Sequence, residues 1–204
     1  MFLSFEGIDG AGKTTQVRRL AERLIAEGRM VATCRDPGST ELGDAVRKIV
    51  LHEAVAQVGR TAEMLLYMAA RAQMVEEVIR PALAAGKVVL SDRFLLSNVV
   101  YQGHAGGLDP QALWSVGAVA CGGLLPDRTY VLDLEPEAGL ARIDRPLDRM
   151  EREGLDFRRR LRAGFLLEAA RQPERIEIVD AARDAETIHA DLYERVLRRL
   201  AQTG

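Results

Sequence analysis

Two cysteines, three histidines and one asparagine are all that a chain of 204 residues offers to several common chemistries. Cys34 and Cys121 have no metal-binding spacing, and in an intracellular chain they read as buried thiols, so no disulfide framework is expected. His52, His104 and His189 are scattered, which argues against a histidine metal site and points to surface or loop roles. Asn98 is the only asparagine and is followed by Val-Val, so the Asn-Lys-x-Asp signature that reads guanine in GTPase switches is missing. An excess of one charge is missing too. Net charge is −2 with a pI near 6.0, so no global basic field argues for a nucleic-acid partner. No apolar run approaches the ~20 residues of a membrane span, and the first strand starts at the N-terminus, so neither a membrane partner nor a signal peptide is expected. Repeats, low-complexity runs and linkers are absent. With 48% hydrophobic residues, the chain reads as one cytoplasmic globular domain over 1–204.

What is present begins at once. Phe2-Leu3-Ser4-Phe5 is an apolar strand that runs into Gly7-Ile8-Asp9-Gly10-Ala11-Gly12-Lys13-Thr14-Thr15, and Gln16 to Ala26 reads as a helix. Strand, Gly-x-x-x-x-Gly-Lys-Thr and helix in that order form a phosphate-binding loop. The glycines let backbone N–H groups turn inward around a polyphosphate, and the helix adds the positive end of its dipole. Lys13 reaches the β- and γ-phosphates in such a loop, and the Thr14 hydroxyl meets Mg²⁺. The bland alternative is a glycine-rich turn that binds nothing. The Lys-Thr pair at this offset disfavours it.

Further strands are expected at Arg29–Cys34, Lys87–Asp92, Thr129–Leu134 and Arg175–Asp180. Helices fall between them: Glu41–Leu51, Thr61–Ala85 with a bend near Pro81, Leu95–Tyr101, Pro110–Cys121, Phe157–Arg171 and Ala185–Ala201. Alternating strands and helices require crossover connections. The expected fold is α/β, a three-layer α/β/α P-loop NTPase fold with five parallel strands, a short lid, and ligands at the carboxyl ends of the strands.

At one such end stand Asp92 and Arg93. Asp92 suits Mg²⁺, directly or through water, and Arg93 suits a phosphate held bidentately. Their alternative reading is a helix-capping acid beside an exposed arginine. Arginines at strand ends suit a kinase with a small phosphorylated acceptor better than a switch or a motor.

Gly7-Ile-Asp-Gly-Ala-Gly-Lys-Thr14, Arg35-Asp-Pro-Gly38, Ala70-Arg71-Ala-Gln73, Asp92-Arg-Phe-Leu-Leu-Ser-Asn98, Tyr101-Gln-Gly103 and Leu147-Asp-Arg149 occur in that order over almost the whole chain. Together they resemble the thymidylate kinase family. The loop lacks the extra arginine of the eukaryotic branch, and the later arginines, between 142 and 152, are similar to the bacterial branch. The resemblance implies ATP and dTMP as substrates, Mg²⁺ as cofactor and a homodimer. It implies that Asp9 faces the acceptor's 3′-hydroxyl, that Arg35 and Pro37 belong to the acceptor loop, and that Arg71 and Arg93 reach the base and the acceptor phosphate. Tyr67 falls where the family stacks an aromatic on thymine, although a core tyrosine is the alternative. Ser97 and Asn98 match positions that read the pyrimidine edge, joined by Gln102, and Tyr101 matches the one that crowds the 2′ position.

The stretch 142–153 resembles the family's lid, with Arg149 favoured as the arginine that meets the transferring phosphate and Arg145 second. A solvated charged helix face is the reading without the resemblance. The chain departs from the family here: the lid is about two residues short and Pro146 stands near the usual Arg-x-Arg-Gly. Asp36 replaces the usual Glu, and Ser39 the usual second Gly. Lys13, Asp9, Arg93, Arg149 and Arg145 are thus the expected catalytic groups. The rival readings are a kinase for another nucleotide or a nucleoside, and a P-loop regulatory protein that hydrolyses ATP slowly.

Overall fold

The computed structural model describes residues 1–51 and 58–203, so the expectation for His52 lies outside the described residues. Five strands form one sheet: β1 (Phe2–Glu6), β2 (Val31–Arg35), β3 (Val88–Asp92), β4 (Arg128–Asp133) and β5 (Ile176–Asp180). Their order is β2-β3-β1-β4-β5 and every pairing is parallel. β1 lies at the centre, between Val88–Asp92 and Arg128–Asp133, and is buried along its whole length. After β1 the chain crosses to the edge strand β2, returns to β3 beside β1, and then builds the other side with β4 and β5. The carboxyl end of β1 is therefore the switch point, where open α/β sheets form their ligand crevice.

Alternation along the strands sends neighbouring side chains to opposite faces. Leu3, Phe5 and Leu90 join α1 (Lys13–Ala26), α8 (Leu155–Arg171) and α9 (Ala185–Thr203) in one core. Phe2 and Val89 join α3 (Arg60–Met74) and α6 (Pro110–Ala120) in the other. Phe2 meets Phe94 edge to face at 5.0 Å, a preferred aromatic geometry. Both cysteines are free and buried in this second core, as the sequence suggested. Helix α2 (Glu41–Leu51) carries Glu41 and Asp44 in its first turn and Lys48 in its last, in keeping with the helix dipole.

The long helix expected over Thr61–Ala85 is bent, but the bend begins before Pro81. α3 passes into a π turn at Val75–Ile79 and then into α4 (Arg80–Ala84). Pro81 has no N–H to donate back along the helix, and the preceding Arg80 N–H reaches five residues back to the Val75 carbonyl. The helix expected at Leu95–Tyr101 is also interrupted: α5 (Leu95–Asn98) continues as a second π turn, Val99–His104. That extra residue per turn swings Tyr101 and Gln102 toward the strand ends. A short α7 (Pro136–Ala141) and a 3₁₀ turn at Glu151–Glu153 flank the arginine-rich stretch; the sequence reading placed neither. Among the described residues no helix is long and apolar enough to cross a membrane.

Candidate active site

Gly7, Gly10 and Gly12 all have positive φ, and the loop they form leads into α1 at Lys13. At two of them the reason for glycine is contact. A Cβ on Gly7 would stand 2.5 Å from the Leu132 carbonyl, and one on Gly10 would stand 2.0 Å from the Gly139 carbonyl. The loop is thus wedged between β4 and α7, while Gly12 faces open space. Lys13 is buried and donates from Nζ to the carbonyls of Gly7 (3.0 Å) and Ile8 (2.7 Å). Burial and the nearby Arg93 charge lower its pKa to about 8. Beside it, the Thr14 hydroxyl donates to Asp92 Oδ2 at 2.5 Å.

Two cavities meet at the carboxyl edge of the sheet. One opens over the loop, with Lys13, Thr14 and Asp92 in its floor. The other is lined by Arg35, Pro37, Tyr67, Arg71, Ser97, Asn98, Tyr101 and Gln102, the residues read as an acceptor set. Asp9, Arg35, Arg93 and Arg145 line both. Those four mark the passage between the cavities.

Arg93 is the centre of this passage. It has a left-handed backbone (φ 71°), which a non-glycine residue adopts only when its surroundings hold it. Its guanidinium donates to the Gly7 carbonyl (3.1 Å), Ser97 Oγ (3.0 Å), the Tyr101 hydroxyl (3.1 Å) and Asp9 Oδ1. It also lies 4.9 Å from the centre of the Tyr101 ring. Tyr101 donates to the other Asp9 oxygen at 2.7 Å. Burial alone would raise the Asp9 pKa, yet the charges of Arg93 and Lys13 outweigh it and hold the carboxyl well below the usual range.

The turn around Arg93 is held by a group the sequence reading passed over. Glu6, the last residue of β1, is fully buried; it accepts the Phe94 N–H at 2.8 Å and the Ser97 hydroxyl. Burial pushes its pKa up to about 7, with Ser97 and Arg93 pulling the other way. At the end of an apolar strand Glu6 looks like a solvated terminus. Only the pairing of β1 with β3, which sets Phe5 opposite Asp92, shows its burial at this turn. Arg47 was also missed. It leaves α2 without a motif, donates to the Pro37 carbonyl at 3.1 Å and lines the acceptor cavity. On the donor side the signal was available: Arg183 follows the end of β5 and lines the loop cavity with Asp184.

Arg71 is 1% exposed and donates to Asp36 Oδ2 (2.6 Å) and Asn98 Oδ1 (3.1 Å). Asp36 precedes Pro37 by a cis peptide bond, and its other oxygen has no hydrogen-bond partner among the described residues. Arg35 is exposed, with its N–H on Ser39 Oγ at 2.8 Å. Gly7 and Ile8 turn their carbonyls to Lys13 and do not line the cavity. Arg149 lines neither cavity. Its guanidinium pairs with Glu63 of α3 and donates to the Val50 carbonyl at 3.0 Å.

A glycine loop at the switch point of a parallel sheet, opening on two cavities that share an arginine and a carboxylate, defines a P-loop nucleotide-binding protein. The thymidylate kinase family model matches residues 5–192. A thymidylate kinase of Bifidobacterium longum is 46% identical over 193 residues, covering 93% of this chain and 94% of the relative. One from Pelotomaculum thermopropionicum is 45% identical over 194 residues, covering 94% and 90%. The crystal structure of thymidylate kinase from Ehrlichia chaffeensis superposes with a TM-score of 0.78 at 29% identity, covering 96% of this chain and 98% of that one. The chain belongs to the thymidylate kinase family.

Proposed function

We propose that this protein transfers the γ-phosphate of ATP to dTMP, giving ADP and dTDP. The observation that carries this reading is the passage formed by Asp9, Arg35, Arg93 and Arg145, which joins a phosphate-loop cavity to one lined by Tyr67, Arg71 and Asn98. The acceptor oxygen is already anionic at neutral pH, so no general base is required. Positioning and charge neutralisation carry the reaction.

The loop backbone and Lys13 cradle the donor phosphates. Arg93, Arg35 and Arg47 hold the acceptor phosphate, and Asp9 faces the sugar. Arg71, Ser97, Asn98 and Gln102 read the base, Tyr67 stacks on it, and Tyr101 guards the 2′ position. Arg145, which lines both cavities, takes first place among the lid arginines for the charge that develops in transfer; Arg149, tied to Glu63, takes second. Thr14 and Asp92 offer Mg²⁺ a hydroxyl and a carboxylate 2.5 Å apart, enough for an ion that keeps several waters and leans on phosphate oxygens. Bound there, Mg²⁺ would neutralise phosphate charge. The whole chain acts as one kinase domain with 142–153 as its lid. Pairing of two copies through α3 and α6 is supported by Leu65 and Val119, which are 50% and 82% exposed.

The test is ADP release coupled to a dehydrogenase, measured with dTMP, dUMP, dCMP, dGMP and AMP. Release should depend on the acceptor and be fastest with dTMP. Equal, slow release with every nucleotide or none would favour a regulatory ATPase instead.

A further inference from the structure

Arg149 and the acceptor cavity are linked through one buried carboxylate, Glu63. Glu63 lies on α3, one helical turn before Tyr67, and is 5% exposed. One oxygen takes the Arg149 guanidinium, while the other accepts Gln102 Nε2 at 2.8 Å. Gln102 Oε1 in turn accepts Asn98 Nδ2 at 2.7 Å, and Asn98 Oδ1 accepts Arg71 Nη1 at 3.1 Å. Asn98 and Gln102 are 2% and 4% exposed, so water does not compete for these bonds.

The two ends of this chain fix its direction. A guanidinium can only donate and an ionised carboxylate can only accept. Between Arg71 and Glu63, both amides must therefore point their oxygen toward Arg71 and their nitrogen toward Glu63. Turning either amide round would set NH₂ against a cation or a carbonyl against an anion. The faces that Asn98 and Gln102 present to the cavity follow from that constraint. Thymine and cytosine differ in this respect, because their pairing edges exchange a donor for an acceptor at the 4-position and at N3.

We infer that Glu63 is a positioning residue that sets base specificity and anchors the lid at once: one oxygen orients the Gln102–Asn98 pair, and the other holds the 142–153 segment through Arg149. The inference rests on the proposed dTMP kinase reading. It deepens that reading by tying acceptor choice to lid position through a residue that touches neither substrate.

Glu63→Gln is nearly isosteric and removes the charge that both polarises the amides and pairs with Arg149. With dTMP as acceptor, kcat/KM should fall roughly 10- to 100-fold, the range typical of lost orienting partners. The dTMP-to-dCMP ratio of kcat/KM should fall about tenfold, since Arg71 alone then opposes reversal of the amides and the Gln102 end no longer does. Arg149→Leu should lower kcat and leave that ratio intact. Trypsin supplies a second readout: Arg142, Arg149 and Arg152 are cleavable, whereas Arg145 precedes Pro146. Binding of dTMP should protect the segment in the wild type and in neither variant.

A folded Glu63→Gln protein with an unchanged acceptor ratio would overturn the specificity role. Undiminished dTMP protection in Arg149→Leu would overturn the anchoring role, and that arm holds even if Glu63→Gln fails to fold. Wild-type turnover of dTMP is measured alongside. Its absence would defeat the kinase reading, and this inference with it, whereas normal wild-type turnover with an unchanged variant defeats the inference alone.

Discussion

Glu6 shows how a single side chain holds the site in place at an energetic cost. Its carboxyl accepts from Phe94 and Ser97, so it braces the left-handed turn at Arg93 from beneath. Burial raises its pKa from 4.5 to about 7. In that window the folded state binds a proton that the unfolded chain has released, so the stability contributed by Glu6 is fully present below pH 4.5 and is lost as pH rises through 7. That contribution is on the order of 3 kcal/mol. Glu6→Gln keeps an acceptor and a similar volume but cannot titrate. Denaturant titrations from pH 4 to 8 should show the wild type losing stability through this window relative to the variant. The difference should flatten above pH 7. Parallel curves would remove Glu6 from the proton balance. Lys13 is displaced in the complementary sense: burial, with the Arg93 charge beside it, lowers its pKa to about 8, and a triphosphate in the loop would raise it again.

At the scale of elements, the lid separates what sequence reveals from what only packing reveals. The phosphate loop was legible because its chemistry is local: strand, glycines, lysine and helix follow one another within 26 residues. The strands and most helices were legible from apolar periodicity. Glu6 and Glu63 were not, because each owes its place to a neighbour far along the chain, 86 residues in the case of Glu63 and Arg149; Arg47, bonded to the nearby Pro37 carbonyl, belongs to no motif. The same distance hid the state of Arg149. The sequence favours it over Arg145 for the transferring phosphate, whereas in the fold it pairs with Glu63 and the Val50 carbonyl. Arg145 lines the passage. Arg145→Ala should therefore lower kcat and kcat/KM together, by about 10²- to 10³-fold, and leave the Kd for dTMP nearly unchanged. Arg149→Ala should lower kcat less and alter the protease sensitivity of 142–153. Steady-state kinetics with calorimetric dTMP binding distinguish the two; full kcat in Arg145→Ala would move the role to Arg149, and full kcat in both variants to Arg142, which lines the loop cavity.

For the whole molecule, the strand order matters more than any one element. Placing β1 between β3 and β4 brings Gly7–Thr15, Asp92–Arg93 and the acceptor residues to one edge, although they span the first half of the chain. The lid then arrives from the other half of the sheet, after β4. In this assembly a phosphoryl group passes directly between two nucleotides held on either side of Arg93 and Arg145. The most direct test is to identify the products of a reaction with Mg²⁺, ATP and dTMP by ³¹P NMR. Direct transfer gives ADP and dTDP in equal amounts, with inorganic phosphate a minor signal. ADP accompanied by inorganic phosphate, with dTMP unchanged, would contradict it.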